Sequence, residues 1–273
     1  MNCLIIARIT FLEAFRQRFF PLLAILALAL VASSLFFQQF NFGSSELKFI
    51  VDLGFGSILF FGSLLAIVLS SQTLFAEYEN RTLFTVLARP VSRSSFLVGK
   101  SLGILALLFC FVLVLVLVTG SLLWVRHQAL LQEFPQLFPE YAVLRYTDLP
   151  VLGLVYFLKL CILTGMTFFV GAFAKSNLYT VVVSFLLLLI AQLQHLAEES
   201  YAREGAGWLW KMFAGLIAVL FPNFQFFNVG DQLVYAESGE FSPFPLGAIL
   251  GYGVLYLLAY GLIACGLFQK REF

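Results

Sequence analysis

The sequence predicts an all-α integral membrane protein with six transmembrane helices, and both its composition and its apolar runs favour this class. Of the 273 residues, 61% are hydrophobic and 11% are charged. A soluble domain carries about 25% charged residues, so this chain lacks the polar surface that would coat a water-soluble globule. The formal net charge of +1 gives no overall attraction to nucleic acid, and we expect no nucleic-acid partner.

Six apolar runs are long enough to cross a bilayer, which takes about 20 helical residues. They cover residues 19–37, 49–75, 99–124, 152–174, 178–196 and 246–268. The tripeptide Lys175-Ser176-Asn177 separates the fourth run from the fifth and predicts a tight turn between antiparallel helices. A further run, 208–221, is too short to span and ends before Pro222, so we expect a re-entrant or interfacial helix there.

Basic residues orient these helices, because Lys and Arg are enriched in cytoplasmic loops. With the N-terminus inside, the inner segments hold Arg8, Arg16, Arg18, Arg81, Arg89, Arg93, Lys100, Lys175, Lys270 and Arg271. The outer segments hold Lys48, Arg126, Arg145, Arg203 and Lys211. We therefore expect a multi-pass membrane protein with both termini in the cytoplasm.

The N-terminal residues 1–18 are patterned before the first span begins. Apolar residues recur at helical spacing opposite Arg8 and Arg16, at Ile5, Ile9, Leu12 and Phe15. This pattern predicts an amphipathic helix on the inner membrane face. An extension of the first span is the alternative. A secretory signal is excluded because the apolar run that follows is too long for a signal core.

Catalytic motifs are missing from the chain. Gly99-Lys100-Ser101 is similar to the end of a phosphate-binding loop, but Ser94 stands where that loop needs a glycine. The sequence also lacks a zinc-protease helix motif and a serine-nucleophile elbow. We therefore expect neither enzymatic activity nor a cofactor in this chain. The four cysteines have no metal-ligand spacing and predict no disulfide framework.

Two sets of polar residues near or within the spans are candidate sites. His195, Glu198 and Glu199 share one helical face and form a weak metal candidate, although polar residues also gather at helix ends because water begins there. Lys159 lies inside a span, where a charge is costly and usually faces a cavity or a partner. It is a candidate for the substrate pathway; snorkelling of its amine to the outer boundary is the alternative.

Residues 77–100, between the second and third spans, hold six charged residues in a chain that is otherwise poor in charge. Leu83, Val86 and Leu87 share one face of a short helical segment that Pro90 ends. The stretch Val91-Ser92-Arg93-Ser94-Ser95 supplies a serine cap for the helix that follows. A short, charged, capped helix that projects from a membrane domain suits the docking of a cytosolic partner. An ordinary connecting loop is the alternative.

This segment resembles the permease subunits of type 2 ABC exporters. Their pattern is an acidic residue, Thr-Leu, a leucine-rich turn, Pro-x-x-Arg, and Gly-Lys at the start of the third span. The matching residues are Glu79, Thr82, Leu83, Pro90, Arg93, Gly99 and Lys100. Arg81 stands where many members have glycine. A second similarity is the Pro222-Asn223 run before the last span, and the six-span plan agrees along the whole chain.

The resemblance implies a protein of a bacterial inner membrane in which residues 77–98 form a cytoplasmic coupling segment. The coupling helix within it, residues 77–93, would dock into a separate ATPase subunit. The resemblance implies ion pairs from Arg81, Arg89 and Arg93 and apolar contact from Leu83, Phe84 and Leu87. It also implies two ATPase copies, which bind the ATP and Mg, and a second permease copy or paralogue. In this plan residues 1–273 are one permease domain, embedded in membrane lipid, with residues 197–245 as an outer loop.

Two functions from different classes stay open on the sequence alone. The leading one is the transmembrane subunit of an ATP-binding-cassette exporter. The alternative is a membrane anchor or assembly protein that docks a cytosolic complex and transports nothing. The sequence does not identify a substrate, and it does not distinguish a homodimer from a heterodimer.

Overall fold

The structure is a computed structural model that describes residues 2–36, 44–79, 92–133, 146–202, 207–229 and 246–270, and every regular element in these ranges is helical. The helices are α1 Asn2–Arg16, α2 Phe19–Ser33, α3 Ser44–Glu79, α4 Arg93–Glu133, α5 Asp148–Phe173, α6 Asn177–Ala202, α7 Trp208–Leu220 and α8 Leu246–Lys270, with a short 3-10 helix at Phe224–Phe227. Six of them, α2 to α6 and α8, are long and apolar enough to cross a membrane. The prediction of an all-α protein with six spans is confirmed.

Several helices are longer than the apolar runs that predicted them. Helix α3 has 36 residues and α4 has 41, so both continue past the hydrocarbon core. Helix α4 starts at Arg93 because the backbone N–H of Ser95 donates to Ser92 Oγ at 3.3 Å, which confirms the predicted serine cap. Of the 77–98 segment, residues 80–92 lie between these two helices, and the structure describes Ser92 among them. Similarly, α6 runs to Ala202, past the predicted start of the outer loop.

Helix α5 is the centre of the bundle. In its apolar window 78% of the residues are buried, against 22% in each of α2, α6 and α8. It packs against α3, α4, α6 and α8. Close approach is possible where glycines face larger side chains: Gly153 meets Val116 of α4, and Gly253 of α8 meets Leu158. The peripheral helices therefore leave wide apolar faces for lipid or for a partner.

Helix α1 packs on the start of α4 through small residues. A Cβ added at Gly103 would lie 2.6 Å from the backbone oxygen of Ala7, and one at Gly99 would lie 2.8 Å from the Ile6 side chain. Thr10 and Ala14 are fully buried on the same side of α1. The apolar face predicted for α1 points away from the protein, with Ile5, Ile9, Leu12 and Phe15 each about half exposed. An amphipathic helix fixed to α4 on one side and open to lipid on the other fits this pattern.

The basic ends of the helices gather at one end of the bundle. This end of the bundle, which we refer to as the basic end, comprises the C-termini of α3, α5 and α8 and the N-termini of α4 and α6. Lys175 and Ser176 form the turn between α5 and α6, as predicted, and Ser176 Oγ accepts a hydrogen bond from the Tyr179 N–H at 3.3 Å.

Helix α7 ends against α6 and α8, and side chains of these two helices donate hydrogen bonds to three of its last four carbonyl groups. The oxygens of Ile217, Ala218, Val219 and Leu220 accept hydrogen bonds from Phe221 N, Gln194 Nε2, Tyr256 Oη and Tyr260 Oη, respectively, at 2.9–3.1 Å. Tyr260 lies ten residues before the end of α8, or about 15 Å along its axis. The C-terminus of α7 is therefore at mid-membrane depth, as in a re-entrant helix, and its last four carbonyls all have partners.

Replacement of Gly103 by alanine should destabilise the protein even though alanine favours helix formation by about 1 kcal/mol. The new methyl group would collide with the Ala7 backbone, which costs about 1–3 kcal/mol. The matched control is Gly251→Ala, because nothing lies within 4 Å of a Cβ added there. Thermal unfolding in detergent should show a lower Tm for Gly103→Ala and an unchanged or higher Tm for Gly251→Ala. Equal Tm values for the two variants would contradict the close contact between α1 and α4.

Tyr260→Phe should loosen the C-terminus of α7, because it leaves the Leu220 carbonyl without its donor at a cost of about 1–3 kcal/mol. Hydrogen–deuterium exchange of the peptide covering 212–221 measures this directly, and we expect faster exchange. Tyr179→Phe is the control, since Tyr179 is 49% exposed on α6. Unchanged exchange in Tyr260→Phe would show that this hydroxyl does not hold α7.

Candidate functional site: the frame around residues 80–91

Lys100 joins three helices at the basic end. Its Nζ lies 2.9 Å from Glu77 Oε1 on α3 and 3.5 Å from Glu13 Oε2 on α1. Lys100 itself is on α4 and only 3% exposed, whereas Glu77 is 16% and Glu13 is 52% exposed. The residues on both sides of the 80–91 segment are thus fixed to each other and to the N-terminal helix. We refer to Glu13, Glu77 and Lys100 as the Lys100 frame.

Aromatic contacts extend the Lys100 frame to the last helix. The Lys100 amine lies 5.7 Å from the ring centroid of Phe96, within the range of a cation–π contact. Phe96 in turn stacks on Phe268 of α8, with 6.1 Å between the ring centroids. A buried amine is tolerated when acidic and aromatic groups surround it in this way.

Arg93 makes a second link between α4 and α8. Its Nη1 donates a hydrogen bond of 3.0 Å to the backbone oxygen of Gln269, in the last turn of α8. A guanidinium at this position also interacts favourably with the negative end of the helix dipole. Of the residues predicted to dock the ATPase, Arg93 is the one whose side chain the structure describes.

The remaining residues predicted for docking lie outside the described residues or at their edge. Glu79 is the last residue of α3, and its side chain lies outside the described residues. Also outside them are Arg81, Thr82, Leu83, Phe84, Leu87, Arg89 and Pro90. Their roles stay predictions. Gly99-Lys100-Ser101 lies within α4 rather than on a loop, and its lysine is committed to two carboxylates.

Lys159 is buried in the centre of α5, 5% exposed, about 16 Å from the start of that helix. Its Nζ lies 5.1 Å from the ring centroid of Phe224, in the 3-10 helix that follows α7. One turn away, Tyr156 Oη donates to Asn228 Oδ1 at 3.4 Å. From α5, Lys159 and Tyr156 therefore face the residues that follow α7, 221–229, which we refer to as the re-entrant segment.

The two histidines occupy separate places. His195 Nδ1 lies 3.1 Å from the backbone oxygen of Gln192, in its own helix; the side chains of Glu198 and Glu199 lie outside the described residues. Within the described ranges, no group of three His, Cys, Asp or Glu residues is placed to hold a metal ion. His127 Nδ1 is 2.9 Å from Tyr146 Oη, and burial raises the pKa of that hydroxyl, so it stays protonated at neutral pH.

Sequence reasoning missed Glu13, although a signal was present. Glu13 is the one acidic residue among the first 45 residues, on a helix whose other charges are basic. A lone carboxylate in that position indicates a basic partner. Identifying the partner as Lys100 required the three-dimensional packing of α1 on α4, since 87 residues separate the two side chains along the chain.

Comparison with known families agrees with this architecture. The six spanning helices, packed around α5, define a helical membrane domain. The model of the ABC-2 family transporter protein matches residues 4–273, nearly the whole chain, and the protein belongs to this family. It is therefore the permease subunit of an ABC transporter, a multi-pass membrane protein whose family implies association with an ABC ATPase. No curated protein matches the chain.

Replacement of Lys100 by methionine should be strongly destabilising, because it leaves two carboxylates side by side at a mostly buried position. Loss of one partner of a buried ion pair costs about 3–5 kcal/mol. Glu13→Gln should cost under about 1 kcal/mol, because that carboxylate is half exposed. Thermal unfolding of the purified protein measures both effects. Lys175→Met, at an exposed lysine of the same end, is the control and should leave Tm unchanged; a Lys100→Met variant as stable as this control would contradict the frame.

Proposed function

We propose that this chain is the transmembrane subunit of an exporter that moves a substrate across the inner membrane with ATP hydrolysed by a separate subunit. The observation that carries the proposal is the Lys100 frame. It holds the residues on both sides of the 80–91 segment against α1, α3 and α4. A force applied to that segment by an ATPase therefore reaches three helices at once, which is the mechanical requirement for coupling.

The proposed docking contact combines an apolar centre with a charged rim, the arrangement typical of protein interfaces. Leu83, Phe84 and Leu87 are the proposed apolar anchors. Glu79, Arg81, Arg89 and Arg93 are proposed to form the rim, with Thr82 and Pro90 at the ends of the helical segment. Arg93 suits this role by position, because its link to Gln269 holds it at the basic end beside the segment.

The full transporter is proposed to contain two permeases, identical or paralogous, and two ATPases that bind the ATP and Mg. On this arrangement the basic end and both termini lie in the cytoplasm, as the distribution of Lys and Arg favours. Closure of the ATPase pair would push on the two 80–91 segments and shift the spans.

Lys159 is a candidate for the substrate pathway. Its amine is buried at mid-membrane depth beside the re-entrant segment, where a charge acts over long range because water is scarce. A shift of the re-entrant segment would alter its surroundings directly, through the contact with Phe224.

The test of the docking proposal is copurification from native membranes in mild detergent, with ATPase activity as a second readout. The Leu83→Asp/Leu87→Asp double variant should lose the ATPase subunit, because it places two carboxylates in the apolar centre of the contact. Loss of such anchors costs about 2–4 kcal/mol of binding free energy each. The matched control is Leu83→Met/Leu87→Met, which keeps the apolar volume and should retain the ATPase.

Equal Tm values for the two double variants will show that the change acts on binding rather than on folding. If an ATPase copurifies with the Asp variant as well, the 80–91 segment is not the docking site. If no ATPase copurifies with the wild type, the exporter proposal loses its support and a non-transporting membrane anchor becomes the better interpretation.

A further inference from the structure

An apolar groove of about 230 Å³ lies between α4, α5 and α8. Its floor is buried and includes Cys161 and Phe168 of α5, whereas its rim is open: Val98 of α4 is 40% exposed and Leu262 of α8 is 73% exposed. The groove therefore opens outward from the bundle, toward the bilayer rather than toward the protein interior.

The depth of the groove corresponds to one leaflet. Its lining starts four residues from the beginning of α4, at Leu97, and reaches Leu105; on α8 it extends from Cys265 back to Leu257. At 1.5 Å per residue, these positions lie from about 6 to about 20 Å from the basic end. Half of the hydrocarbon core is about 15 Å thick, so the groove covers the acyl-chain region on the basic side of the membrane.

The hydroxyl groups that line the groove already donate hydrogen bonds to backbone oxygens of their own helices. Ser101 Oγ donates to the backbone oxygen of Val98 at 3.0 Å, and Thr164 Oγ1 donates to that of Leu160 at 2.9 Å. Two glycines create the space: nothing lies within 4 Å of a Cβ added at Gly261, and one at Gly165 would make only ordinary contacts. The surface that remains is apolar and complementary to a hydrocarbon chain.

A fixed positive charge stands at the mouth of the groove. Arg93 is one helical turn before Leu97, and the Gln269 oxygen that it binds is one turn after Cys265. The link between Arg93 and Gln269 thus crosses the basic end of the groove, from one wall to the other. A guanidinium binds phosphate oxygens in a bidentate manner, and basic pockets between membrane helices hold lipid headgroups.

We propose that this groove binds one phospholipid of the leaflet on the basic side, with an acyl chain between α4 and α8 and its phosphate at Arg93. The lipid fills the space between the α4–α5 pair and α8, and it adds a ligand at the residue where α4 leaves the 80–91 segment. The site depends neither on the direction of transport nor on the identity of the cargo.

The experiment uses the purified permease in nanodiscs of phosphatidylethanolamine and phosphatidylglycerol, so its result does not depend on docking of the ATPase. A trace of phosphatidylglycerol that carries a diazirine in one acyl chain is the probe, and mass spectrometry locates the photoadducts. Because annular lipid labels every exposed face, the reference is the face of α6 around Leu189, which is as exposed as Leu258 of the groove. We expect about five-fold more adducts on 257–265 of α8 than on this reference, as a modest binding preference gives.

Variants of a glycine in the groove, of a control glycine and of Arg93 distinguish a lipid bound in the groove from annular lipid. Gly261→Leu fills the groove and should lower labelling of α8 to the level of the α6 reference. Gly251→Leu, a glycine on α8 outside the groove that is equally open, should leave labelling unchanged. Arg93→Gln should reduce the adducts, and Arg93→Lys should restore them in part.

Equal labelling of α6 and α8 in the wild type would overturn the proposal, and so would high labelling that survives Gly261→Leu. If the groove of the wild type is not labelled at all, a second protein chain covers it. That result also contradicts a lipid site. Adducts that are unchanged in Arg93→Gln would refute the assignment of the phosphate to Arg93.

Discussion

The architecture depends on one constraint: in the hydrocarbon core of a bilayer, every backbone N–H and C=O group must find its partner within the protein. Six of the described helices meet it by spanning the core, so their backbone hydrogen bonds close within each segment. Helix α7 is the exception, since it ends at mid-depth. Its end is permitted because Gln194, Tyr256 and Tyr260 supply donors from two neighbouring helices. The tyrosines are spaced by four residues on α8, so a single helical face serves the purpose.

Features encoded by local patterns were predictable from the sequence, and features that depend on tertiary packing were not. The six spans followed from long apolar runs, and the turn at Lys175 and the serine cap of α4 followed from local chemistry. The Lys100 frame did not, because its three residues lie on three helices and Glu13 is 87 residues from Lys100 in the sequence. Gly99 and Gly247 show the same difference. Both begin a pair of glycines spaced by four, yet Gly99 meets α1 whereas Gly247 faces open space. Spacing indicates that close packing is possible, and only the fold decides where it occurs.

Different kinds of contact hold the helices together at the basic end: van der Waals packing, ion pairs, a ring contact and a hydrogen bond. The contact between α1 and α4 relies on small residues and van der Waals packing, which has a short range. The Lys100 ion pairs act over a longer distance and fix the register of α1, α3 and α4. Phe96 and Arg93 connect α4 to α8 by a ring contact and a hydrogen bond, respectively. The docking role of residues 80–91 is a proposal that the family resemblance and the Lys100 frame support, whereas the frame itself is a property of the structure.

The length of α4 has a mechanical consequence. Its 41 residues form a rod about 60 Å long, twice the thickness of the hydrocarbon core. Near its far end, His127 pairs with Tyr146, two residues before α5 begins. A rod of that length that pivots about its centre by about 5° carries each tip roughly 2.6 Å in opposite directions. Rigid rotation of α4 about its centre would therefore move the far end of the helix in the direction opposite to a small displacement beside Arg93.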